Sequence, residues 1–264
     1  MTMGIEMRNL TKRLGGETVI EGVDLSVRMG EILFVVGESG AGKSVLMRHV
    51  IGLHKPDWGS VYVDGERVDS LPEKKLYTVR ERCGFVFQHP ALLDFLSLEG
   101  NVAMPLRRRR GMGGTQAAEE ARLWLRRVGI VDEGSRFPDE VGAGVKKRAS
   151  IARVLALQPR YVVYDEPTTG LDPVSARRID ALIKRHAEEQ DVSTIVVSHD
   201  LRSLAIAHRV AFLHRGRLRA TGTLDELRAS SDPVVRRFLL GGNPQSTEAL
   251  ATQDDDICYS YRRE

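Results

Sequence analysis

Gly37-Glu38-Ser39-Gly40-Ala41-Gly42-Lys43-Ser44 is the stretch that decides how this 264-residue chain is read. It has the form G-x-x-x-x-G-K-S, the pattern of a phosphate-binding loop. Residues 31–36 before it are an apolar run of strand length, and residues 45–51 after it read as helix. The loop is therefore expected at a strand-to-helix turn. There the glycines let the backbone wrap close to a polyphosphate, and the amides and helix N-terminus favour its negative charge. All eight residues are candidate nucleotide ligands, with Lys43 reaching the β- and γ-phosphates and Ser44 holding Mg2+. Ordinary residue frequencies give this pattern by accident in about one chain in a hundred of this length, so nucleotide binding is the reading adopted.

The bulk numbers exclude several classes. The length suits one large domain, or a domain with a lobe. Hydrophobic residues are 42% and charged residues 28%, and a net charge of +3 gives no argument for nucleic-acid binding. No apolar run approaches the roughly 18 residues that cross a bilayer, and the N-terminus lacks the features of a signal peptide. Cys83 and Cys258 are far apart without local metal-ligand partners, which suits a reducing compartment. The expectation is a cytoplasmic chain that acts on a membrane only through a partner.

Outward from the loop, residues 5–10 and 23–27 alternate as half-buried antiparallel strands do, and residues 60–63 lead into a turn at Asp64-Gly65. Residues 83–87 read as a strand ending at Gln88. Between about 90 and 159 strand signals give way to helical segments. Thr115 is the expected cap of one, with Ala117, Ala121, Trp124 and Val128 on one face. From Tyr161 an α/β pattern returns. Residues 161–164 and 194–197 are continuous apolar runs suited to buried parallel strands, separated by a helix over about 174–189. Arg215-Gly216 reads as a hairpin turn, and Thr223-Leu224-Asp225-Glu226 as a capping box. The expected fold is an α/β core with an N-terminal antiparallel β subdomain and a helical subdomain inserted at about 90–159.

The run Arg160-Tyr161-Val162-Val163-Tyr164-Asp165-Glu166 ends a buried strand in two carboxylates. Ligand groups in parallel sheets gather at strand C-terminal ends, which sets both acids beside the phosphate loop. Asp165 is the expected Mg2+ partner and Glu166 the residue that orients and polarises water. Gln88 and His199 also follow strands. By spacing alone each is either structural or part of the site, and the Gln88 amide has the reach to touch both Mg2+ and water.

Taken in order, these motifs resemble an ABC transporter ATPase: the phosphate loop, Gln88, a helical insertion, Val162-Val163-Tyr164-Asp165-Glu166-Pro167, Gly170-Leu171-Asp172-Pro173 and Ser198-His199-Asp200. The resemblance covers about residues 4–240, leaving 241–264 as a tail. It implies a P-loop NTPase (RecA-like) core and ATP with Mg2+ as ligands. It also implies a dimer, expected to be a homodimer, that closes head to tail around two ATP molecules. Gln88, Asp172 and His199 are then the Q-loop, D-loop and switch histidine. Glu166, His199, Gln88 and Lys43 are the implied catalytic group, with Ser44, Gln88 and Asp165 at the metal. Gly142, Ala143, Gly144 and Asp172 would reach the partner's nucleotide.

More narrowly, Gly100-Asn101-Val102-Ala103-Met104-Pro105-Leu106-Arg107 and Asp232-Pro233-Val234-Val235-Arg236-Arg237-Phe238-Leu239 are similar to the ATPase of Mla-type (MCE) phospholipid transport systems. That similarity implies an integral membrane permease, with a small accessory subunit and an MCE-type substrate-binding protein. It sets the chain on the cytoplasmic face of an inner membrane.

Two departures stand out. Where the family's signature is Leu-Ser-Gly-Gly-Gln, this chain has Val141-Gly142-Ala143-Gly144-Val145, so a hydroxyl expected at the γ-phosphate is missing. A hydrogen bond to a charged group is worth about 1.5–3 kcal/mol, or roughly 10- to 150-fold in rate if felt only in the transition state. Lys146 and Lys147 are either compensating charge or a solvated helix face. Near the N-terminus, Lys12, Arg13 and Leu14 supply no ring for adenine stacking, leaving Arg13 as a substitute. The readings that follow are a working transport ATPase of reduced rate, the ATPase of another importer or exporter, or a regulatory subunit that binds ATP without needing to hydrolyse it. Residues 89–98 are the expected groove for a permease helix. Arg107-Arg108-Arg109-Arg110 is a basic loop, and Ile257, Tyr259 and Tyr261 are candidates for docking on a partner.

Overall fold

The alternation at residues 5–10 and 23–27 extends further than the sequence pattern indicates. In a computed structural model that describes residues 3–240, β1 (Met3–Leu14) and β2 (Glu17–Arg28) pair antiparallel along twelve residues each. Gly15 and Gly16 turn between them at φ of 59° and 90°, which side chains rarely adopt. β3 (Ile32–Val36) leads to the phosphate loop and α1 (Lys43–Arg48). β4 (Trp58–Val63) and the short β5 (Glu66–Arg67) complete a four-stranded sheet of order β2-β1-β4-β5.

The remaining strands are β6 (Cys83–Val86), β7 (Tyr161–Asp165), β8 (Ser193–Ser198), β9 (Arg209–His214) and β10 (Arg217–Gly222). With β3 they form a six-stranded sheet of order β10-β9-β3-β8-β7-β6, parallel except for the β9–β10 hairpin at Arg215-Gly216. Alternate residues of its strands enter different cores. Ile32, Phe34, Val36, Val162, Tyr164 and Val196 face one, while Leu33, Val35, Val163, Ile195 and Val197 face the other. The second core is closed by apolar residues of β1, β2 and β4 together with Leu46 and Met47 of α1.

The first core is closed by helices, most of which come from the segment between β6 and β7. They are α3 (Leu98–Arg110), α4 (Gly114–Arg127) and α5 (Ala143–Leu155), joined by α6 (Pro173–Gln190) between β7 and β8. Buried Asn101 braces the entry to α3, donating to the carbonyls of Leu93, Leu96 and Ser97 and accepting from the Leu93 amide at 2.7 Å. In α4 the expected apolar face is present, with Ala117, Ala121 and Trp124 buried. Its expected cap is not: Gly113 occupies the N-cap and Thr115 falls inside the first turn. The left-handed Gly111 ends α3 so close by that α4 starts two residues earlier than the threonine would set it.

A helix not read from the sequence, α2 (Glu73–Arg82), precedes β6 and buries only Leu76 and Val79. After β10, Thr223 and Glu226 form the expected capping box of α7 (Leu224–Arg228). The last described helix, α8 (Pro233–Leu239), is capped by Asp232. Among the described residues no helix is long and apolar enough to cross a membrane. The tail at 241–264, including Ile257, Cys258, Tyr259 and Tyr261, lies outside the described residues.

Candidate nucleotide site

The loop at 37–44 hangs from the C-terminal end of β3 and runs into α1. Its backbone is shaped by two glycines that tolerate no side chain. A Cβ on Gly37 would stand 2.1 Å from the Leu213 carbonyl oxygen. Gly42 caps α1 at φ 95°, and a Cβ there would meet the Val19 carbonyl oxygen at 2.8 Å. Glu38, Ser39 and Gly40 form an exposed crest, with Ala41, Gly42 and Lys43 buried beneath it.

Lys43 lies under that crest, where Nζ donates to the carbonyls of Gly37 at 2.8 Å and Glu38 at 2.9 Å. Glu166 Oε1 is 4.0 Å away. Burial pulls the Lys43 pKa down, and the charges of Glu166, Asp165 and Glu38 oppose that shift. Ser44 Oγ donates to Asp165 Oδ1 at 2.7 Å. Asp165 is 2% exposed, and burial pushes its carboxyl up despite that hydrogen bond. Two hard oxygen ligands on adjoining elements are a donor set that fits Mg2+, an ion that would keep water and phosphate oxygens as its other ligands there.

Glu166 follows β7 with a φ of 51°, in the left-handed region that costs a residue with a side chain about 1–2 kcal/mol. Its amide donates to the Val197 carbonyl at 2.9 Å, which ties the turn to β8. The carboxylate is then fixed from two sides. Oε2 accepts from Thr169 Oγ1 at 2.8 Å and lies 2.8 Å from His199 Nδ1. The histidine side chain is 56% exposed, whereas that of Glu166 is 10% exposed. Thr169 is the site residue that sequence reasoning passed over. Its only signal is a hydroxyl three residues past the glutamate, on the turn that the glutamate opens.

Gln88 follows β6 as Glu166 follows β7, each two residues beyond the paired Val86 and Tyr164. Its main-chain carbonyl accepts a hydrogen bond from Lys147 Nζ, which also reaches the Glu166 carbonyl at 3.3 Å. Lys147 is 3% exposed. The solvated-face reading of this lysine is therefore wrong: α5 is buried around most of its girth, and the stem can leave it only inward. Lys146 beside it is half-buried.

Lys43, Ser44, Asp165, Glu166 and His199 thus converge on one place. Gly142, Ala143, Gly144 and Asp172 do not join them: among the described residues, none bonds to the loop at 37–44. Gly142 caps α5 without a side-chain bond. Gly144 seats that helix against α6, where an added Cβ would meet Ser175 Oγ at 3.3 Å. The Asp172 carboxylate accepts from the amides of Val174 and Ser175 at 2.9 and 3.0 Å, as the cap of α6. Near the N-terminus, the Arg13 guanidinium donates to the Gly16 carbonyl at 2.9 Å and Leu14 is 38% exposed.

Comparison with known proteins gives the same architecture. The ABC transporter family profile matches residues 20–169. The chain is 36% identical over 251 residues to the methionine import ATP-binding protein MetN of Mesorhizobium japonicum, spanning 94% of this chain and 68% of that protein. It is 34% identical over 242 residues to the probable ribonucleotide transport ATP-binding protein mkl of Mycobacterium leprae, spanning 91% and 70%. Among solved structures, a dimeric post-hydrolysis state of the ATP-binding cassette MJ0796 with ADP and Pi matches with a TM-score of 0.78 at 30% identity, over 83% of this chain and 98% of that one. For cbiO1 from Clostridium perfringens, part of the transporter complex cbiONQ, the TM-score is 0.79 at 25% identity, over 95% and 100%. The phosphate loop on its parallel sheet, the Ser44–Asp165 pair and these matches lead to one conclusion: the chain belongs to the ABC transporter family, as an ATP-binding subunit with ATPase activity.

Proposed function

We propose that this chain powers phospholipid movement through a separate membrane permease, as the ATPase of an Mla-type system. The observation that carries the hydrolytic part is the clamp on Glu166, held by Thr169 and His199 within 4.0 Å of the loop lysine. In this reading residues 37–44 cradle the triphosphate, and Lys43 exchanges the carbonyls of Gly37 and Glu38 for β- and γ-phosphate oxygens. Ser44, Asp165 and Gln88 would hold Mg2+, which when bound neutralises phosphate charge and orients the γ-phosphate. Glu166 orients the attacking water and accepts its proton, and His199 keeps that carboxylate aligned. The unit at 1–240, with its helical insertion at about 90–159, is the ATPase domain. It sits on the cytoplasmic face of an inner membrane.

Two copies close head to tail, each offering Gly142, Ala143, Gly144 and Asp172 to the other's ATP. The exposed N-terminus of α5 supports that arrangement, because the amides of Ala143 and Gly144 have no acceptor among the described residues and the helix dipole favours phosphate. The surface at 89–98, where Phe95 is 75% exposed, suits an apolar permease helix. The phospholipid assignment rests on the two segments at 100–107 and 232–239, with an accessory subunit and an MCE-type binding protein as its further partners. The names of the relatives favour a second reading, import of a small solute such as methionine or a ribonucleotide.

The test is steady-state ATP hydrolysis by the membrane complex purified through this chain, wild type against Glu166→Gln. Reconstitution in phospholipid and addition of methionine or nucleotides follow. Hydrolysis lost in Glu166→Gln and stimulated by phospholipid supports the proposal. Stimulation by a small solute instead selects the second reading. ATP binding with no turnover in any condition makes the chain a nucleotide-controlled switch.

A further inference from the structure

Lys147 carries a charge into a part of the molecule where charge is costly unless carbonyls or carboxylates replace its water. It projects from α5, and its ammonium is shared between the carbonyls of Gln88 and Glu166. These two carbonyls close neighbouring strands of the parallel sheet, β6 and β7, on the edge that bears the site. No carboxylate oxygen among the described residues lies within ion-pair distance of Nζ, although Asp165 and Glu166 attract it from further off. The lysine is therefore fixed by main chain rather than by an ion pair. Glu166 is pinned on both sides of its α-carbon: its amide goes to Val197, and its carbonyl accepts from Lys147 and, at 3.4 Å, from the Thr169 amide.

We infer that Lys147 is a positioning residue of the hydrolytic centre: its ammonium ties the carbonyls of Gln88 and Glu166 together, so that α5 sets the alignment of both residues. Lys147 stands five positions after Gly142, the cap at the head of the same helix, about 7.5 Å along its axis. A shift of that helix head, which faces the partner's nucleotide in the head-to-tail reading, reaches the Gln88 and Glu166 carbonyls of its own chain through one rigid turn and a half. Lys147 thus connects the segment that lacks the signature hydroxyl to this chain's own catalytic glutamate. The inference rests on Gln88 and Glu166 serving at the γ-phosphate, as proposed above.

Lys147→Met keeps the length of the stem and removes the donors, whereas Lys147→Arg keeps the donors. Full-length wild type and both variants are compared by hydrogen–deuterium exchange, by binding of a fluorescent ATP analogue, and by single-turnover hydrolysis of ATP with Mg2+. In Lys147→Met we expect exchange at 87–92 and 166–170 to rise by about fivefold or more, with other segments unchanged. Analogue binding stays within about twofold, hydrolysis falls by about tenfold or more, and Lys147→Arg recovers to within about threefold. Unchanged exchange and turnover in Lys147→Met overturn the inference. So does exchange that rises throughout the chain in both variants, because that is loss of packing. If Lys147→Met does not fold, Lys147→Gln, whose amide is too short to bridge the Gln88 and Glu166 carbonyls, is held to the same criteria. A wild-type chain that turns over no ATP sinks the hydrolytic reading of Gln88 and Glu166, while the exchange pattern still decides whether Lys147 links them.

Discussion

His199 Nδ1 and Thr169 Oγ1 meet at a single oxygen, Oε2 of Glu166, each at 2.8 Å. Against an ionised carboxylate both groups donate, so this oxygen is saturated and Oε1, the one 4.0 Å from Lys43, faces the loop. In the proposed mechanism, the two donors would thereby leave Oε1 as the oxygen that meets the attacking water. His199→Ala should lower kcat by about 10- to 100-fold and Thr169→Val by about 3- to 10-fold, with KM for ATP within about twofold. Steady-state hydrolysis at saturating ATP measures both. A Thr169→Val variant that loses affinity rather than turnover would show that the threonine shapes the pocket instead.

The altered signature is correctable. Gly142 has φ −70° and ψ 162°, which any residue adopts, and a Cβ there meets nothing within 4 Å. Gly142→Ser should fold as well as wild type and restore a helix-capping hydroxyl at the head of α5. If the missing donor slows the transition state, the variant hydrolyses ATP about tenfold or more faster. Equal rates would mean that the hydroxyl is not what limits this enzyme.

The loop offers a contrast between two glycines. Gly42→Ala combines φ 95° with a Cβ about 2.6 Å from Ile20 Cδ1 and 2.8 Å from the Val19 carbonyl oxygen. Gly40 also has positive φ, 81°, but opens onto free space. Gly40→Ala should therefore cost only the left-handed strain of about 1–2 kcal/mol, while Gly42→Ala should weaken ATP binding by about tenfold or more and lower Tm. Titration with a fluorescent nucleotide and thermal melts separate the two. Equal losses would refute the steric account.

Two histidines should make the fold sensitive to mild acid. Burial holds the pKa of His49 and of His186 down to about 4, from an ordinary value of 6.5. Between those values the unfolded chain binds protons that the folded chain refuses, so unfolding gains on folding as pH falls. Each histidine contributes a loss of up to about 1.4 kcal/mol per pH unit across that window. Urea unfolding at pH 7, 6 and 5 should show declining stability. Replacing His186 by Phe, which keeps a ring against Trp124, should make the slope shallower, with His49 and the half-buried His54 and His214 supplying the remainder. A slope that the substitution leaves untouched would assign the acid loss elsewhere.

What the sequence made legible follows physical scale. The phosphate loop, the Asp165-Glu166 strand end, the Arg215-Gly216 turn and the Thr223 capping box are local patterns, in which a few consecutive residues dictate the backbone. The partnership of Ser44 with Asp165 was legible as well, because parallel strands deliver their ends to one edge. Thr169 was missed because its partner is a side chain held in place by a turn with positive φ, which no run of residue types announces. α2 was missed because two buried residues, Leu76 and Val79, make too thin an apolar stripe to detect. Lys147 was ambiguous for the opposite reason. α5 is buried on nearly every side, and the usual inference from a charged residue to a wet face fails there.

The two-faced sheet has a consequence for genetics. Along β3, Phe34 packs against the helices and Val35 against the antiparallel layer, although they are neighbours in sequence. Truncating either removes a similar kind of buried surface one residue from the other. Their compensating second-site changes should nevertheless be drawn from separate populations, α3 to α6 for Phe34 and β1, β2 or β4 for Val35. A suppressor screen at these two positions would sort the molecule into its layers without any structural measurement, by the parity of the residue number alone.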